Sequence, residues 1–160
     1  MLFRSESPIV VTNARGAHAR SMAEHVLGLM LAFTRRLHVS RDMQGARRWT
    51  QADLVRSEPP FAELHGATLG IVGFGHIGRA VGAAARAFGM RVIALRRHPE
   101  PEPSPAHEQW GVDRLGELLE RADWVVLAAP HTPATQRLLG VYGIGPGSPN
   151  GNGMNGARHG

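Results

Sequence analysis

The sequence predicts an α/β fold, a doubly wound parallel sheet flanked by helices and built as a single domain. Three observations carry that prediction. A short apolar run at residues 68–72 ends in the turn Gly73-Phe74-Gly75-His76-Ile77-Gly78. An alanine-rich, proline-free segment follows and closes at Gly89. Further apolar runs stand at 91–95 and at 124–129, the last stopped by Pro130. Strand and helix therefore alternate, which favours parallel strands joined by right-handed crossovers.

The stretch from 68 to 98 organises the rest. A bare GxGxxG says little in a chain with 20 glycines, but strand, turn, helix and strand in that order give it a context. Gly73 allows a tight exit from the strand, and Gly75 leaves no side chain between the backbone and a pyrophosphate. Gly78 lets the helix lie close on the sheet. The free N–H groups of Gly75, His76 and Ile77 at the helix start face phosphates, helped by the helix dipole. This is a Rossmann-type dinucleotide-binding unit. Ligands on such sheets sit beyond the carboxyl ends of the strands. Gly73, Arg96 and Pro130 mark three of those ends and are expected to line one crevice.

Taken in order, residues 9–12 form a β-rich run that ends in a turn at 13–16. Ser21 and Glu24 have capping-box spacing. Met22, Val26, Leu29, Met30, Phe33 and Leu37 recur on one helical face, so a long helix is expected over 22–43. Leu27 lies beside that stripe. The apolar positions cover more than one face, wider than packing on the chain's own sheet requires, so the helix is also expected to mediate self-association. Gly28 inside it costs about 1 kcal/mol relative to alanine. Residues 44–60 are polar and arginine-rich, with Trp49 as the one large anchor, and read as a connecting loop over the sheet edge. The run PEPEPSP at 99–105 reads as an exposed linker. Asp113 is placed to cap a short helix that turns Leu115, Leu118 and Leu119 inward, and 124–129 reads as a buried strand.

Composition narrows the function classes. At 160 residues, with 42% hydrophobic and 19% charged residues, the chain is long enough to bury a core. It has no cysteine, so a disulfide framework or cysteine-based metal site is excluded. His18, His25 and His38 do not form a spaced pair with a carboxylate, and no metal site is expected. The start lacks an apolar core behind a basic end, and no apolar stretch is long enough to span a bilayer, so the expectation is a cytoplasmic protein with no membrane contact. The net charge of +5 comes from scattered arginines without aromatic interleaving. It points to small anionic ligands rather than nucleic acid.

VTNARGAHARSMAEHVLGLMLAFTRR, then LHGATLGIVGFGHIGRAVGAAARAFGMRVIALRR, then LLERADWVVLAAPHTPATQRLLG resemble, in that order, the D-isomer-specific 2-hydroxyacid dehydrogenases. The resemblance runs from about Ile9 to Gly140. It implies hydride transfer between a nicotinamide cofactor and a 2-oxo or D-2-hydroxy acid, of the glyoxylate and hydroxypyruvate reductase kind. It also implies that the first helix contributes to a homodimer, and that the PxTPxT loop, here Pro130, Thr132 and Thr135, lies over the cofactor. His131 stands where the family carries a non-catalytic residue. Members begin with a substrate-side domain and continue past the loop to a substrate-binding arginine, a glutamate and a catalytic histidine. On that comparison residues 1–140 are a cofactor domain incomplete at its C-terminal end, and the isolated chain is expected to be inactive. The Gly/Asn-rich segment 141–160 has a disorder-like composition. Within it Arg158 falls in register with the substrate arginine, either as a remnant or by accident. The alternative function is a non-catalytic dinucleotide-binding or dimerising module, a regulator rather than an enzyme.

Cofactor choice turns on the end of the second strand. An NAD-specific fold carries an acid there, about 20 residues past the glycine turn, to hold the ribose 2′-hydroxyl. That place holds Arg96, then Arg97 and His98, with no acid until Glu100. NADP is therefore expected over NAD, because a guanidinium can fork onto a 2′-phosphate.

Overall fold

In the computed structural model, which describes residues 14, 16–49, 51–56, 61–99, 103–132, 135, 136, 138 and 139, the strands come first. The run at 9–12, most of the 13–16 turn, the middle of the 99–105 segment and the tail 141–160 with Arg158 lie outside the described residues. Four parallel strands, β1 (Thr68–Val72), β2 (Arg91–Leu95), β3 (Glu108–Trp110) and β4 (Trp124–Leu127), stand in the order β3-β2-β1-β4. β1 runs in register with β2 from Thr68↔Arg91 to Val72↔Leu95, and with β4 from Leu69↔Trp124 to Val72↔Leu127. The two central strands have the expected bounds. Leu69 to Val72 and Val92 to Leu95 are buried throughout, as strands covered on both faces must be. β4 departs from the expectation of a buried strand over 124–129. It is shorter and, among the described strands, pairs with β1 alone, so Val125 and Leu127 alternate outward and Leu127 is 50% exposed.

β3 is absent from the sequence reading, because three residues carry no usable period. Side chains hold it in place. The Val92 N–H donates to His107 Nδ1 at 2.9 Å, and the His107 N–H donates to the Val92 carbonyl at 2.8 Å. Glu108 pairs with Arg91 on the neighbouring strand and accepts from Trp110 Nε1 at 3.1 Å. The buried Trp110 ring lies under the Arg114 guanidinium at 3.7 Å, with Arg121 at 5.2 Å, and Glu117 bonds both arginines. That cluster fastens the sheet edge to the helix after it.

Five helices, α1 (Ala19–Thr34), α2 (Leu37–Gly45), α3 (Gln51–Val55), α4 (His76–Ala87) and α5 (Leu115–Arg121), complete the described fold. The single helix expected over 22–43 is thus two. At the break the Thr34 carbonyl accepts the Ala62 N–H at 3.4 Å, and Arg36 is left-handed with φ 52°. A tertiary bond has taken the carbonyl that the next helical turn would use. The start also moves: Ser21 Oγ donates back to the His18 carbonyl at 3.1 Å, so it caps no N–H and the Ser21–Glu24 capping box does not form. Glu24 instead faces Arg20 at 3.8 Å on the exposed surface.

The face of α1 that is buried differs from the expected stripe. Ala23, Leu27, Met30 and Thr34 are buried, whereas Met22, Leu29, Phe33 and Leu37 are exposed, Phe33 by 61%. The reason is the neighbour. α1 packs mainly on α4, whose buried face of Gly78, Val81, Gly82 and Ala85 is shallow enough to admit Leu27 and Met30. Ala23, Leu27 and Met30 join Leu69, Ile71, Phe74, Val81 and Val92 in one core. Gly28 is exposed with nothing within 4 Å of a Cβ built there, so no contact inside the chain accounts for it.

Three smaller expectations also change. The 44–60 segment contains α3 rather than being loop throughout, and Trp49 is 87% exposed, so it anchors nothing within the chain. Asp113 lies inside a 3-10 turn (Val112–Arg114) rather than at a cap, although Leu115 and Leu118 are buried and Leu119 packs beside them as expected. Within the 99–105 segment, Pro99 and Pro103 are exposed but Ser104 is buried. Its carbonyl accepts from Arg86 Nη1 at 3.3 Å, and its hydroxyl accepts the Ala106 N–H at 3.1 Å. Among the described residues no helix is long and apolar enough to cross a membrane.

The Arg91 hydrogen bond and ion pair hold the Glu108 carboxyl below the usual carboxylate range. Its stabilisation is therefore complete above the unfolded carboxyl value and is lost as pH falls through the depressed folded value. Because both groups are partly exposed, Glu108→Gln is expected to cost no more than about 1 kcal/mol at neutral pH. Urea unfolding at several pH values checks this: the difference between the two chains should shrink to nothing in acid.

Candidate functional site

Three backbone hydrogen bonds bring the strand ends together. The Gly73 N–H donates to the Leu95 carbonyl at 3.0 Å, the Ala128 N–H to the Val72 carbonyl at 2.8 Å, and the Arg96 N–H to the Trp110 carbonyl at 3.1 Å. Above them opens a crevice of about 580 Å³. Gly73 and Gly75 line it from the turn, Arg96, Arg97 and His98 from beyond β2, and Pro130, Thr132 and Thr135 from beyond β4. The three strand ends named in the sequence thus share one cavity. His76, Ile77 and Gly78 do not line it: His76 is exposed on the first turn of α4, Ile77 packs on the core, and Gly78 is buried on the face of α4 turned to the strand exit.

The glycines divide the work between packing and access. Gly73 has φ +97°, and a Cβ there would stand 2.5 Å from the Ala129 nitrogen. A Cβ on Gly78 would collide with the Gly73 carbonyl oxygen, so α4 crosses the strand exit at backbone contact. Gly75 is different: nothing lies within 4 Å of a Cβ built on it. It caps α4 with extended backbone and no side-chain cap bond. The first N–H groups of a helix have no intrahelical acceptor, and here they stand beside an open wall. A phosphate-bearing ligand fits that arrangement.

Charge agrees with it. The charged or titratable residues on the lining are Arg96, Arg97 and His98, and no described carboxylate joins them. Arg96 is half-buried at the mouth, while Arg97 and His98 are exposed.

The loop after β4 is stapled by its threonines. Thr135 Oγ1 accepts the Thr132 N–H at 2.8 Å, lies 3.0 Å from Thr132 Oγ1, and donates to the Pro130 carbonyl at 2.6 Å. The Thr135 hydroxyl therefore ties Thr132 to Pro130. The sequence reading missed Val112, Leu115 and Leu138, which form an apolar side of the crevice. Val112 and Leu115 follow β3, and only the strand order puts that strand's end beside the others. Among the described residues no cluster of three or more His, Cys, Asp or Glu could hold a metal ion.

Residues 27–147 match the family model described as D-isomer specific 2-hydroxyacid dehydrogenase, NAD binding domain. The chain is 35% identical over 136 residues to a D-3-phosphoglycerate dehydrogenase of Methanocaldococcus jannaschii, covering 85% of this chain and 25% of that one. It is 36% identical over 135 residues to a glyoxylate reductase of Thermococcus kodakarensis, covering 82% and 40%. A solved D-isomer specific 2-hydroxyacid dehydrogenase family protein from Aeromonas salmonicida superposes with a TM-score of 0.66 at 29% identity, over 81% of this chain and 38% of that one. The chain thus spans between a quarter and two-fifths of the length of these relatives.

The two kinds of glycine contact predict opposite tolerances. Gly78→Ala should destabilise by about 1–3 kcal/mol, since backbone must move to admit the methyl group. Gly75→Ala should change stability by no more than about 0.5 kcal/mol, because the space is open. Urea unfolding of both variants checks the contrast.

Proposed function

The chain belongs to the D-isomer specific 2-hydroxyacid dehydrogenase family, and from that premise we propose that it is the cofactor-binding half of an enzyme interconverting 2-oxo acids and D-2-hydroxy acids. The observation that carries the proposal is the crevice where Gly73, Arg96 and Pro130 meet beside the open Gly75. A nicotinamide dinucleotide, when bound, supplies the hydride chemistry. The chain's own residues bind and orient it. The backbone at Gly75, His76 and Ile77 receives the pyrophosphate, although the two side chains stay outside the cavity. Val112, Leu115 and Leu138 offer an apolar wall for a base. The stapled loop of Pro130, Thr132 and Thr135 bounds the far side and keeps water from it. The substrate class is a small 2-oxo acid of the glyoxylate or hydroxypyruvate kind, a reading that the similarity to a glyoxylate reductase supports.

Arg96 and Arg97 stand where an NAD-specific site places an acid, and both line the crevice. A guanidinium there forks onto a 2′-phosphate, whereas a carboxylate would repel it. The cofactor of this site is thus NADPH rather than NADH. The exposed stripe of α1 and the start of α2, Met22, Leu29, Phe33 and Leu37, supports a homodimer formed through that face.

Titration by nucleotide fluorescence should show NADPH binding at least about tenfold more tightly than NADH, about 1.4 kcal/mol. Arg96→Asp should reverse the order, and equal affinities in the unmodified chain would overturn the assignment. Given glyoxylate, the same samples should show no cofactor oxidation above the rate without protein.

For the dimer, sedimentation of the unmodified chain should give twice the protomer mass. Phe33→Glu should shift it to the monomer without lowering the unfolding midpoint appreciably, since Phe33 is outside the core. A monomer at every protein concentration argues against the interface.

A further inference from the structure

The β3 edge of the sheet and the nucleotide crevice meet in one turn. The 3-10 turn Val112–Arg114 leads from β3 into α5 at Leu115, and the Arg114 N–H donates back to the Gly111 carbonyl at 3.2 Å. Val112 and Leu115 line the crevice, whereas Arg114, between them, does not. Its side chain lies over the Trp110 ring instead. The Trp110 carbonyl in turn accepts the Arg96 N–H at 3.1 Å, so the residue beneath Arg114 also holds the backbone of a crevice cation.

Arg114 is gripped on two sides. Its guanidinium stands 3.7 Å from the Trp110 ring centroid. Nε donates to Glu117 Oε2 at 2.8 Å and Nη2 to Glu117 Oε1 at 2.7 Å, a fork onto α5. A guanidinium plane stacked on a buried ring and forked onto a carboxylate keeps little rotamer freedom, and the turn that carries it is fixed with it. Val112 depends on this, because it is 55% exposed and packing alone gives it little hold. Arg121 makes the same two kinds of contact, 5.2 Å from the Trp110 centroid and 2.9 Å from Glu117 Oε1. It stands in the last turn of α5, however, where no crevice-lining residue adjoins it in the chain.

We propose that Arg114 is a positioning residue for the nucleotide. Without touching the ligand, it keeps the Val112 side of the crevice preformed for the adenosine end and, through Trp110, holds the Arg96 backbone beside it. A preformed wall spares the ligand the cost of ordering it, so loss of the clamp shows as weaker binding. The inference rests on the crevice as the nucleotide site, and not on the choice between NADPH and NADH, since both carry an adenosine.

NADPH and NADH are titrated into the 160-residue chain by nucleotide fluorescence, with 5′-AMP as a competitor. Arg114→Met, which keeps an unbranched side chain over Trp110, should weaken all three by about fivefold. Glu117→Gln, which removes the charge of the fork and leaves the guanidinium, should weaken them by about threefold. Arg114→Lys should resemble Arg114→Met, because an ammonium neither forks nor stacks as a plane. Arg121→Met should leave all three affinities unchanged. The Arg114 and Arg121 side chains are 41% and 52% exposed, so these variants are expected to fold with similar, slightly lowered unfolding midpoints, which circular dichroism checks.

Unchanged affinities in folded Arg114→Met and Glu117→Gln overturn the proposal. An equal loss in Arg121→Met also overturns it, by reducing both arginines to general stability. Recovery in Arg114→Lys does the same, since it marks a plain charge contact with the nucleotide. Equal affinities for NADPH and NADH in the unmodified chain overturn the cofactor assignment alone. An unmodified chain that binds neither nucleotide overturns this inference together with the nucleotide site.

Discussion

Backbone touches backbone where β1 gives way to α4, and that contact sets much of what surrounds it. Gly78 lies against the Gly73 carbonyl, and Gly73 lies against the backbone of Ala128 and Ala129. Neither place has room for a methyl group. The helix is thereby fixed over the strand exit, with its unpaired N–H groups directed past the open Gly75. The exit of β4 is held to the exit of β1 by the same approach and by the Ala128 hydrogen bond to Val72. A loosely packed turn would leave the same residues present but not convergent. Orientation of that kind is what a site on a rigid scaffold supplies.

Burial then builds outward from this contact. Gly82 faces Ile71 and the ring of Phe74, and α1 settles into the shallow surface that small residues leave on α4. Each fully buried Leu, Ile or Val side chain, such as Leu69, Ile71, Val81 and Val92, contributes about 1.5–3 kcal/mol against the entropy of ordering the chain. The β3 edge depends on different physics. Trp110 is buried between two arginines, and the carboxylates of Glu108 and Glu117 neutralise the charges around it. Cation–π contact and ion pairing thus join a three-residue strand, too short to be stable by hydrogen bonds alone, to α5.

The crevice is floored by regular backbone at the strand ends, with Arg96 and Arg97 on its lining beside the start of α4. α1 buries Ala23, Leu27, Met30 and Thr34 and turns Met22, Leu29 and Phe33 outward. An outward stripe of large apolar side chains is area that another surface can cover.

β1, the glycine turn, α4 and β2 were legible in the sequence, the two strands with their bounds, because their signals are local. Two unbroken apolar runs can be only central parallel strands, and a glycine triad at that spacing between them has one compatible geometry. The convergence of Gly73, Arg96 and Pro130 was legible too, since it follows from parallel strands alone. The family was readable from the motifs that those elements carry. Tertiary structure decided the rest. The break after Thr34 depends on an N–H from Ala62, 28 positions away, which no helical period contains. The choice of Ala23, Leu27 and Met30 over Leu29 and Phe33 for the core depends on which side of α1 meets α4. Hydrophobicity cannot decide that, because Leu27 and Leu29 rank alike. β3, and with it Val112 on the crevice wall, depends on Arg91, His107 and Trp110 meeting partners on other elements. Local chemistry is written along the chain; a pairing between distant positions is settled only when the backbone brings them within contact distance.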